Sequence, residues 1–200
     1  EDRLTIAFVA EFSRGKSELI NAVFFSGYGR RILPSSAGRT TMCPTELCWE
    51  EGATPQIRLL PIESRREAEV AVLRSRPEVW QVEALDAGSA ESLQHGLSRV
   101  GETMHVSVEE ARELGFRVGE SGGEDVLVAD ADGMVEISRW RHAIIQFLHP
   151  LLQQGLVVLD TPGLNAIGAE PELTLSMLPN AHAVVFVLAA DTGVTQSDLA

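Results

Sequence analysis

The residues best suited to chemistry form one short stretch near the start of the chain, Ala10-Glu11-Phe12-Ser13-Arg14-Gly15-Lys16-Ser17. The stretch matches the phosphate-loop pattern GxxxxGK[ST], except that Ala10 stands at the first glycine. Main-chain N–H groups of such a loop point inward and bind phosphate, and the helix N-terminus that follows adds partial positive charge. Lys16 is expected to contact the β- and γ-phosphates, and the Ser17 hydroxyl to bind Mg²⁺. The motif therefore predicts a nucleoside-triphosphate site.

The elements around this motif are the ones that it requires. The apolar run Leu4–Val9 predicts a buried strand, and apolar residues at helical spacing predict a helix from Lys16 to Phe25. That helix should end near Gly27 or Gly29, because glycine readily adopts the left-handed conformation. An ordinary strand-to-helix turn with a surface lysine is the alternative, but the flanking elements favour a phosphate loop.

A second stretch, Leu33–Thr45, follows the helix and is rich in small, polar, glycine and proline residues, so it is predicted to be a loop. In GTPases the loop at this place is switch I, in which a threonine closes over Mg²⁺ and the γ-phosphate. A plain connector is the alternative interpretation.

A third stretch, Asp160-Thr161-Pro162-Gly163, ends a later apolar run. A carboxylate at a strand end, three residues before a glycine, is the DxxG pattern. Asp160 can hold Mg²⁺ through a water, and the Gly163 N–H can sense the γ-phosphate. A Pro-Gly pair alone marks any turn, so the assignment of this motif depends on its following the phosphate-loop and switch I candidates.

The order of apolar runs and helical patterns predicts an α/β domain of the P-loop NTPase type, with three layers. Its central sheet is expected to be mostly parallel with a mixed edge, and the nucleotide to lie at the carboxyl ends of the strands. Short strands are expected at Glu46–Trp49 and Gln56–Leu60. The runs His142–Leu148 and Gly155–Leu159 are expected to pair antiparallel, and Ala183–Leu188 predicts a strand buried on both faces.

After the DxxG motif, Leu164 to about Gly168 is the candidate for switch II. Residues 61–137 lie between the switch I and switch II candidates, and are interpreted as a large, family-variable insertion because so long a stretch exceeds a bare connection. Helices are predicted at Ser64–Arg76 and Ser89–Val100. A capping box at Ser107–Glu110 predicts a further helix that ends at Gly115. Asp132-Gly133 predicts a β-hairpin turn.

Composition and charge bear on the classes of partner that this chain can bind. The 200 residues carry a net charge of −13, which argues against a broad surface for nucleic acid or anionic lipid. Cys43 and Cys48 lack metal-ligand spacing and suit a reducing cytosol. No apolar run approaches about 18 residues, so no membrane span is expected here. Because the sequence begins and ends close to predicted elements, it is expected to be a piece of a longer protein.

Together the motifs resemble those of the bacterial dynamin-like GTPases, within the dynamin superfamily. Four stretches carry the resemblance, and they are Ala10–Ser17 with the Glu-Leu-Ile-Asn-Ala that follows, Leu33–Thr45, Asp160–Gly163 and Ala183–Asp191. The resemblance implies that residues 1–200 form part of a GTPase domain. Its guanine-reading motif, [NT]KxD, would lie beyond residue 200, so specificity for guanine over adenine is an implication of the family.

The resemblance also implies roles for individual residues. Lys16, Thr41 and Ser13 are implied to be catalytic, with Thr40 as the alternate for Thr41. Mg²⁺ is implied to contact Ser17, Thr41 and Asp160, and Ser13 to help hold a monovalent cation, K⁺ or Na⁺. The residues implied to bind the nucleotide lie in the phosphate loop, its helix and the DxxG motif: Glu11, Phe12, Ser13, Arg14, Gly15, Lys16, Ser17, Glu18 and Gly163.

Ala10 and Phe12, both in the phosphate loop, leave the hydrolysis rate open. Phe12 stands where several dynamins carry a glutamine that positions the attacking water, so this chain departs from the pattern there. Arg14 is a candidate for neutralising charge, and a solvent-facing arginine is the equal alternative.

The implied activity is Mg²⁺-dependent hydrolysis of GTP to GDP, in a homodimer formed through the GTPase domain and used for membrane remodelling or a related assembly process. Membrane contact is implied only through regions outside this chain, with a cytoplasmic location that is peripheral at the inner membrane in the full-length protein. No nucleic-acid partner is expected. The alternatives are a nucleotide-binding P-loop module with little hydrolysis, an ATPase of another P-loop class, and a scaffold whose acidic insertion binds a partner.

Overall fold

The computed structural model describes residues 4–9, 16–33, 43–119, 126–160 and 182–186. In chain order the strands are β1 (Leu4–Val9), β2 (Thr45–Cys48), β3 (Gln56–Pro61), β4 (Gln81–Ala84), β5 (Thr103–Ser107), β6 (Val118–Gly119), β7 (Leu127–Val128), β8 (Met134–Ser138), β9 (Trp140–Gln146), β10 (Leu156–Asp160) and β11 (Ala183–Phe186). The α-helices are α1 (Lys16–Phe24), α2 (Val70–Leu73), α3 (Ala90–Ser98), α4 (Val108–Glu113) and α5 (Pro150–Gln153).

Seven strands form one mixed sheet in the order β11-β1-β10-β2-β9-β3-β4. β1 pairs parallel with both β10 and β11, and β2 pairs parallel with β9. The pairs β10–β2, β3–β9 and β3–β4 are antiparallel. Three of the six pairs are thus antiparallel, and two of these, β10–β2 and β3–β9, lie inside the sheet, so the expectation of a mostly parallel sheet with a mixed edge is wrong for the described strands.

The expected antiparallel pairing of the His142–Leu148 and Gly155–Leu159 runs is also wrong, because β2 lies between β9 and β10. The connection between them contains α5, whose Leu152 packs into the core. A hairpin of neighbouring strands normally needs a loop of about two to five residues. Strands buried on both faces read as uniformly apolar, so their sequences do not reveal which strand lies beside which.

Side chains alternate between two apolar layers on opposite faces of the sheet, which gives the expected three-layer arrangement. On β9, Ala143 and Ile145 face the larger layer, to which α1 contributes Ile20 and Phe24 and α3 contributes Leu93 and Leu97. Ile144 faces the opposite layer, to which α2 contributes Val70 and Leu73. Helices thus cover both faces, as an α/β domain requires.

The helix predicted from Lys16 is confirmed as α1, and a 3₁₀ turn at Ser26–Tyr28 follows it. Gly29 ends that turn with φ 64°, the left-handed conformation that favours glycine.

The continuous helix predicted over Ser64–Arg76 is wrong, because the structure has a 3₁₀ turn at Ile62–Arg66 and then the short α2. The buried guanidinium of Arg141 donates hydrogen bonds to the main-chain oxygens of Ser64, at 3.1 Å, and Ala68, at 2.7 Å. In a continuous helix those carbonyls would accept from N–H groups four residues later. Here these carbonyls accept from Arg141, on β9, instead.

Two local predictions in residues 61–137 are confirmed by side-chain caps. Ser89 accepts a hydrogen bond from the Ser92 N–H at the start of α3, and Ser107 accepts one from the Glu110 N–H at the start of α4. These hydroxyls satisfy N–H groups that have no partner within the helix. α4 ends before Gly115, whose φ is 84°.

The predicted turn at Asp132-Gly133 is present, with Asp130 accepting from the N–H groups of Asp132 and Met134. The strands on its two sides do not form one hairpin, since β8 pairs with β5 and β7 pairs with β6. A separate apolar cluster, which includes Val106, Leu114 and Ile137, holds this part of the chain together. Within the described residues, no helix is both long and apolar enough to cross a membrane.

Candidate functional site

The predicted phosphate loop joins the carboxyl end of β1 to the start of α1. β1 runs parallel to β10, with Phe8 opposite Asp160 in the register. The carboxyl ends of parallel strands meet at one edge of a sheet, so the chain leaves β1 toward the loop beside the DxxG aspartate. Lys16 is the first residue of α1 and the only lysine in the sequence.

Several predicted site residues lie outside the described residues, and their roles stay predictions. They are Ala10, Glu11, Phe12, Ser13, Arg14, Gly15, Thr40, Thr41 and Gly163. What the structure describes is the frame around them: the end of β1, the start of α1, the two ends of the 34–42 segment, and Asp160.

Asp160 is the last residue of β10 and is 5% exposed. Strand alternation places it on the same face as Val158, which belongs to the core layer that contains α1. Its main chain pairs with Thr45 at the beginning of β2. A carboxylate at this position is an oxygen ligand of the kind that Mg²⁺ prefers.

The end of the predicted switch I loop lies next to this aspartate. β2 runs antiparallel to β10, so its amino end, which leaves the 34–42 segment, meets the carboxyl end of β10. The Thr45 hydroxyl donates to the Cys43 carbonyl oxygen at 3.1 Å and fixes the last turn before β2. Thr41, two residues before Cys43 in the sequence, lies outside the described residues, and its place beside Asp160 stays a prediction.

The Cys43 thiol is buried beside the same carboxylate. Burial raises the pKa of this thiol to about 12, and the negative charge of Asp160 contributes in the same direction. The thiol contacts the Val100 carbonyl oxygen at 3.7 Å. Cys43 is therefore protonated at neutral pH, which makes it a packing residue rather than a nucleophile or metal ligand.

The first turn of α1 carries Ser17 and Glu18. Ser17 is partly exposed there, which suits a hydroxyl that holds an ion. The Glu18 carboxylate forms an ion pair with Arg31, and both side chains are about half exposed, at 51% and 49%. Since the Glu18 side chain is engaged in this way, its predicted part in nucleotide binding rests on its main-chain N–H.

Asn21 was not among the residues predicted for the site, yet it links the helix to the 34–42 segment. It lies one turn after Ser17, is 7% exposed, and hydrogen-bonds to Ser17, Ile32 and Leu33. The sequence does contain a signal, because a helical spacing places Asn21 beside Ile20 and Phe24 on the buried face of α1. A buried polar residue on such a face needs hydrogen-bond partners.

A polar cluster on the other face of the sheet contains the buried side chains of Glu46 and His142 and the partly exposed Arg74. Glu46, on β2, forms an ion pair with Arg74, and the His142 Nε2 atom lies 3.8 Å from its Oε2 atom. Burial alone raises the pKa of Glu46, but the neighbouring His142 and Arg74 outweigh it and lower that pKa to about 2. Trp80 packs edge-on against the His142 ring at 6.1 Å. The ion pair of this cluster connects Arg74, directly after α2, to β2.

The oxygen donors suit Mg²⁺. Asp160 offers a carboxylate and Ser17 a hydroxyl, which are hard ligands, and a magnesium ion in such sites completes its shell with phosphate oxygens and water. In the described part of the chain, no three His, Cys, Asp or Glu side chains are grouped to hold a metal by themselves. A site of this kind depends on the nucleotide for its remaining ligands.

Comparisons with known proteins agree with the motifs. A sequence model of the dynamin family matches residues 6–200. A bacterial dynamin-like protein from Nostoc punctiforme (strain ATCC 29133 / PCC 73102) is 39% identical over 54 residues, which cover 27% of this chain and 8% of that protein.

Two solved structures of an oligomerised bacterial dynamin pair, presented as a mechanism for long-range sensing and tethering of membranes, are also similar. They are 19% and 15% identical, with TM-scores of 0.43 and 0.49. The matches cover 92% and 98% of this chain, which spans 20% and 28% of those chains. With the family model matching almost its whole length, the chain belongs to the dynamin family.

Proposed function

We propose that this chain binds GTP with Mg²⁺ and hydrolyses it to GDP and phosphate. The observation that carries the proposal is the meeting of three chain segments at one edge of the sheet. β1 leads into the phosphate loop beside Asp160, and antiparallel β2 returns from the threonine loop to the same residue. Family membership supports the same nucleotide chemistry.

In this proposal the main-chain N–H groups of residues 11–18 and of Gly163 hold the phosphates. Lys16 neutralises the charge that develops on the γ-phosphate, and Ser13 helps hold a K⁺ or Na⁺ ion. Ser17, Thr41 and Asp160 hold Mg²⁺, which supplies charge stabilisation at the phosphate oxygens. The Thr41 carbonyl orients the water that attacks in line.

Lys16→Ala tests the nucleotide site. We expect loss of measurable affinity for a non-hydrolysable GTP analogue without unfolding, because the side chain serves phosphates rather than the core. Isothermal titration calorimetry on the full-length protein measures the affinity, and circular dichroism checks the fold. Arg66→Ala, at a partly exposed position in residues 61–137, is the matched removal of a positive charge.

The same titration separates the proposal from its alternatives. Unchanged affinity of Lys16→Ala would remove the phosphate-loop assignment. Tight binding without phosphate release by the wild type would indicate a binding module. Competition by the equivalent ATP analogue would indicate an ATPase of another P-loop class.

We further propose that two such domains associate across their nucleotides, and that the full-length protein remodels membranes through regions outside residues 1–200. A cytoplasmic protein held peripherally at the inner membrane fits that role. Residues 61–137 are proposed as the family-variable insertion of the domain. The assembly and the membranes named for the related bacterial dynamin pair motivate this extension.

A further inference from the structure

The Asn21 side chain uses its full hydrogen-bonding capacity between two parts of the proposed site. Its Oδ1 atom accepts from the Ile32 N–H at 3.0 Å and from the Leu33 N–H at 2.8 Å. Its Nδ2 group donates to the Leu33 oxygen at 2.9 Å and to the Ser17 oxygen at 2.8 Å. Because two N–H donors face Oδ1 and two carbonyl oxygens face Nδ2, only one of the two amide orientations satisfies all four bonds.

These bonds connect the residue predicted to hold Mg²⁺ with the residue directly before the 34–42 segment. Leu33 contributes both its main-chain N–H and its main-chain oxygen, and its side chain is fully buried together with that of Ile32. The beginning of the threonine loop is thus attached to the second turn of α1. The other end of the loop is set by β2 beside Asp160.

An exposed ion pair between Glu18 and Arg31 joins the same two segments one turn earlier. Exposed ion pairs contribute little, because water and salt screen them. Buried hydrogen bonds are worth more to the structure, since breaking one leaves a desolvated polar group. The amide, rather than the ion pair, therefore sets the position of the loop base.

We propose that Asn21 is a positioning residue for GTP hydrolysis: its four hydrogen bonds hold the main chain of Ile32 and Leu33, which leads into the predicted switch I loop, against the phosphate-loop helix one turn from Ser17. The inference rests on the proposed GTP hydrolysis. It assigns to Asn21 no contact with nucleotide, so its loss affects turnover more than affinity.

The test compares Asn21→Asp and Asn21→Ala with wild type in the full-length protein. Asn21→Asp keeps the size and the two acceptor bonds, but it removes both donors and sets a carboxylate against two carbonyl oxygens. Asn21→Ala removes all four bonds. Arg31→Gln is the matched control, because it removes the exposed ion pair between the same segments.

We expect kcat for GTP to fall by about 10²-fold in Asn21→Asp, the cost of misplacing a catalytic group by roughly 1 Å. Affinity for a non-hydrolysable GTP analogue should change by less than about threefold, because the nucleotide contacts stay in place. Amide hydrogen exchange should rise at Ile32 and Leu33 in Asn21→Ala, which loses both acceptor bonds, and should stay near the wild-type rate in Asn21→Asp, which keeps them. Arg31→Gln should match wild type in all three measurements.

Each other outcome counts against the proposal in a distinguishable way. Equal losses of affinity and kcat, or unchanged exchange at Ile32 and Leu33 in Asn21→Ala, would show that Asn21 does not position the start of the loop. Unchanged kcat in both variants, with an active wild type, would overturn the positioning role alone. A wild type that binds no GTP, or binds it without turnover, would overturn the proposed hydrolysis and this role together. If Asn21→Ala does not fold, Asn21→Asp carries the comparison.

Discussion

At the scale of single residues, the group proposed to hold Mg²⁺ and the group proposed to position the site differ in their chemistry. Asp160 is a buried carboxylate at a strand end, whereas Asn21 is a neutral amide that makes only main-chain contacts. A neutral amide can be buried at low cost when all its hydrogen bonds are made, whereas a buried charge needs a partner or an ion. This difference predicts different consequences when each residue is changed.

Thr41→Ala is expected to separate binding from hydrolysis. Its hydroxyl and carbonyl are predicted to act on Mg²⁺ and the attacking water as charge develops, so turnover should fall by about 10²–10³-fold. Affinity for a GTP analogue should change much less. Steady-state phosphate release and calorimetry measure the two quantities.

Thr40→Ala is the matched control for that prediction and should have a much smaller effect. The opposite result, with Thr40→Ala inactive and Thr41→Ala active, would shift the register of switch I by one residue. If neither variant loses activity, the loop does not serve as a switch.

Glu46 is expected to make stability depend on acid pH. Its pKa in the folded state is about 2, below the ordinary value of 4.5, since His142 and Arg74 favour the ionised form over the opposing effect of burial. The stabilisation is therefore present above about pH 4.5 and is lost as the pH falls toward 2. At neutral pH it amounts to something on the order of 3 kcal/mol.

Urea unfolding, followed by tryptophan fluorescence at pH 7 and pH 3, measures this effect against Glu46→Gln. The variant should be less stable than wild type at pH 7, and the difference should shrink at pH 3. A difference that stays the same at both pH values would remove the role of the Glu46 charge.

At the scale of elements, α3 illustrates how packing overrides local preference. Gly96 lies inside this helix, where alanine would be favoured by about 1 kcal/mol from propensity alone. A Cβ atom at Gly96 would lie 2.3 Å from the Cδ2 atom of Leu85, which is itself buried in the core. The close approach of helix and preceding segment explains why a glycine stands there.

Gly96→Ala is therefore expected to destabilise the domain, because overpacking a core costs about 1–3 kcal/mol and exceeds the gain in helix propensity. Thermal unfolding measures the change. Gly101→Ala is the control, since a Cβ atom there meets no other atom within 4 Å and its φ is not positive. A stabilised Gly96→Ala would mean that Leu85 moves aside without cost.

At the scale of the whole molecule, the proposed site lies where β1 and β10 end and β2 begins. The proposed association across the nucleotide predicts that the full-length protein self-associates more strongly with a GTP transition-state analogue than with GDP. Analytical ultracentrifugation at several protein concentrations measures this, with Lys16→Ala as the control that cannot respond. Equal association in both nucleotide states would argue against coupling between dimerisation and hydrolysis.

The sequence by itself determined the features that depend on neighbours along the chain. The phosphate-loop helix begins at Lys16, Ser89 and Ser107 cap their helices, and Gly29 and Gly115 adopt the left-handed conformation. Each follows from a few consecutive residues, because capping and positive φ are local properties. The family motifs could also be identified from the sequence, since each consists of a few residues close together in the chain.

Only the tertiary structure decided which distant segments lie together. It placed β2 between β9 and β10, and it turned the Ser64–Arg76 stretch toward Arg141 instead of into one helix. It also gave Asn21 its partners at Ile32 and Leu33. Uniformly buried strands and a single polar residue on a helix face do not specify their neighbours, because such contacts form only when the whole core packs.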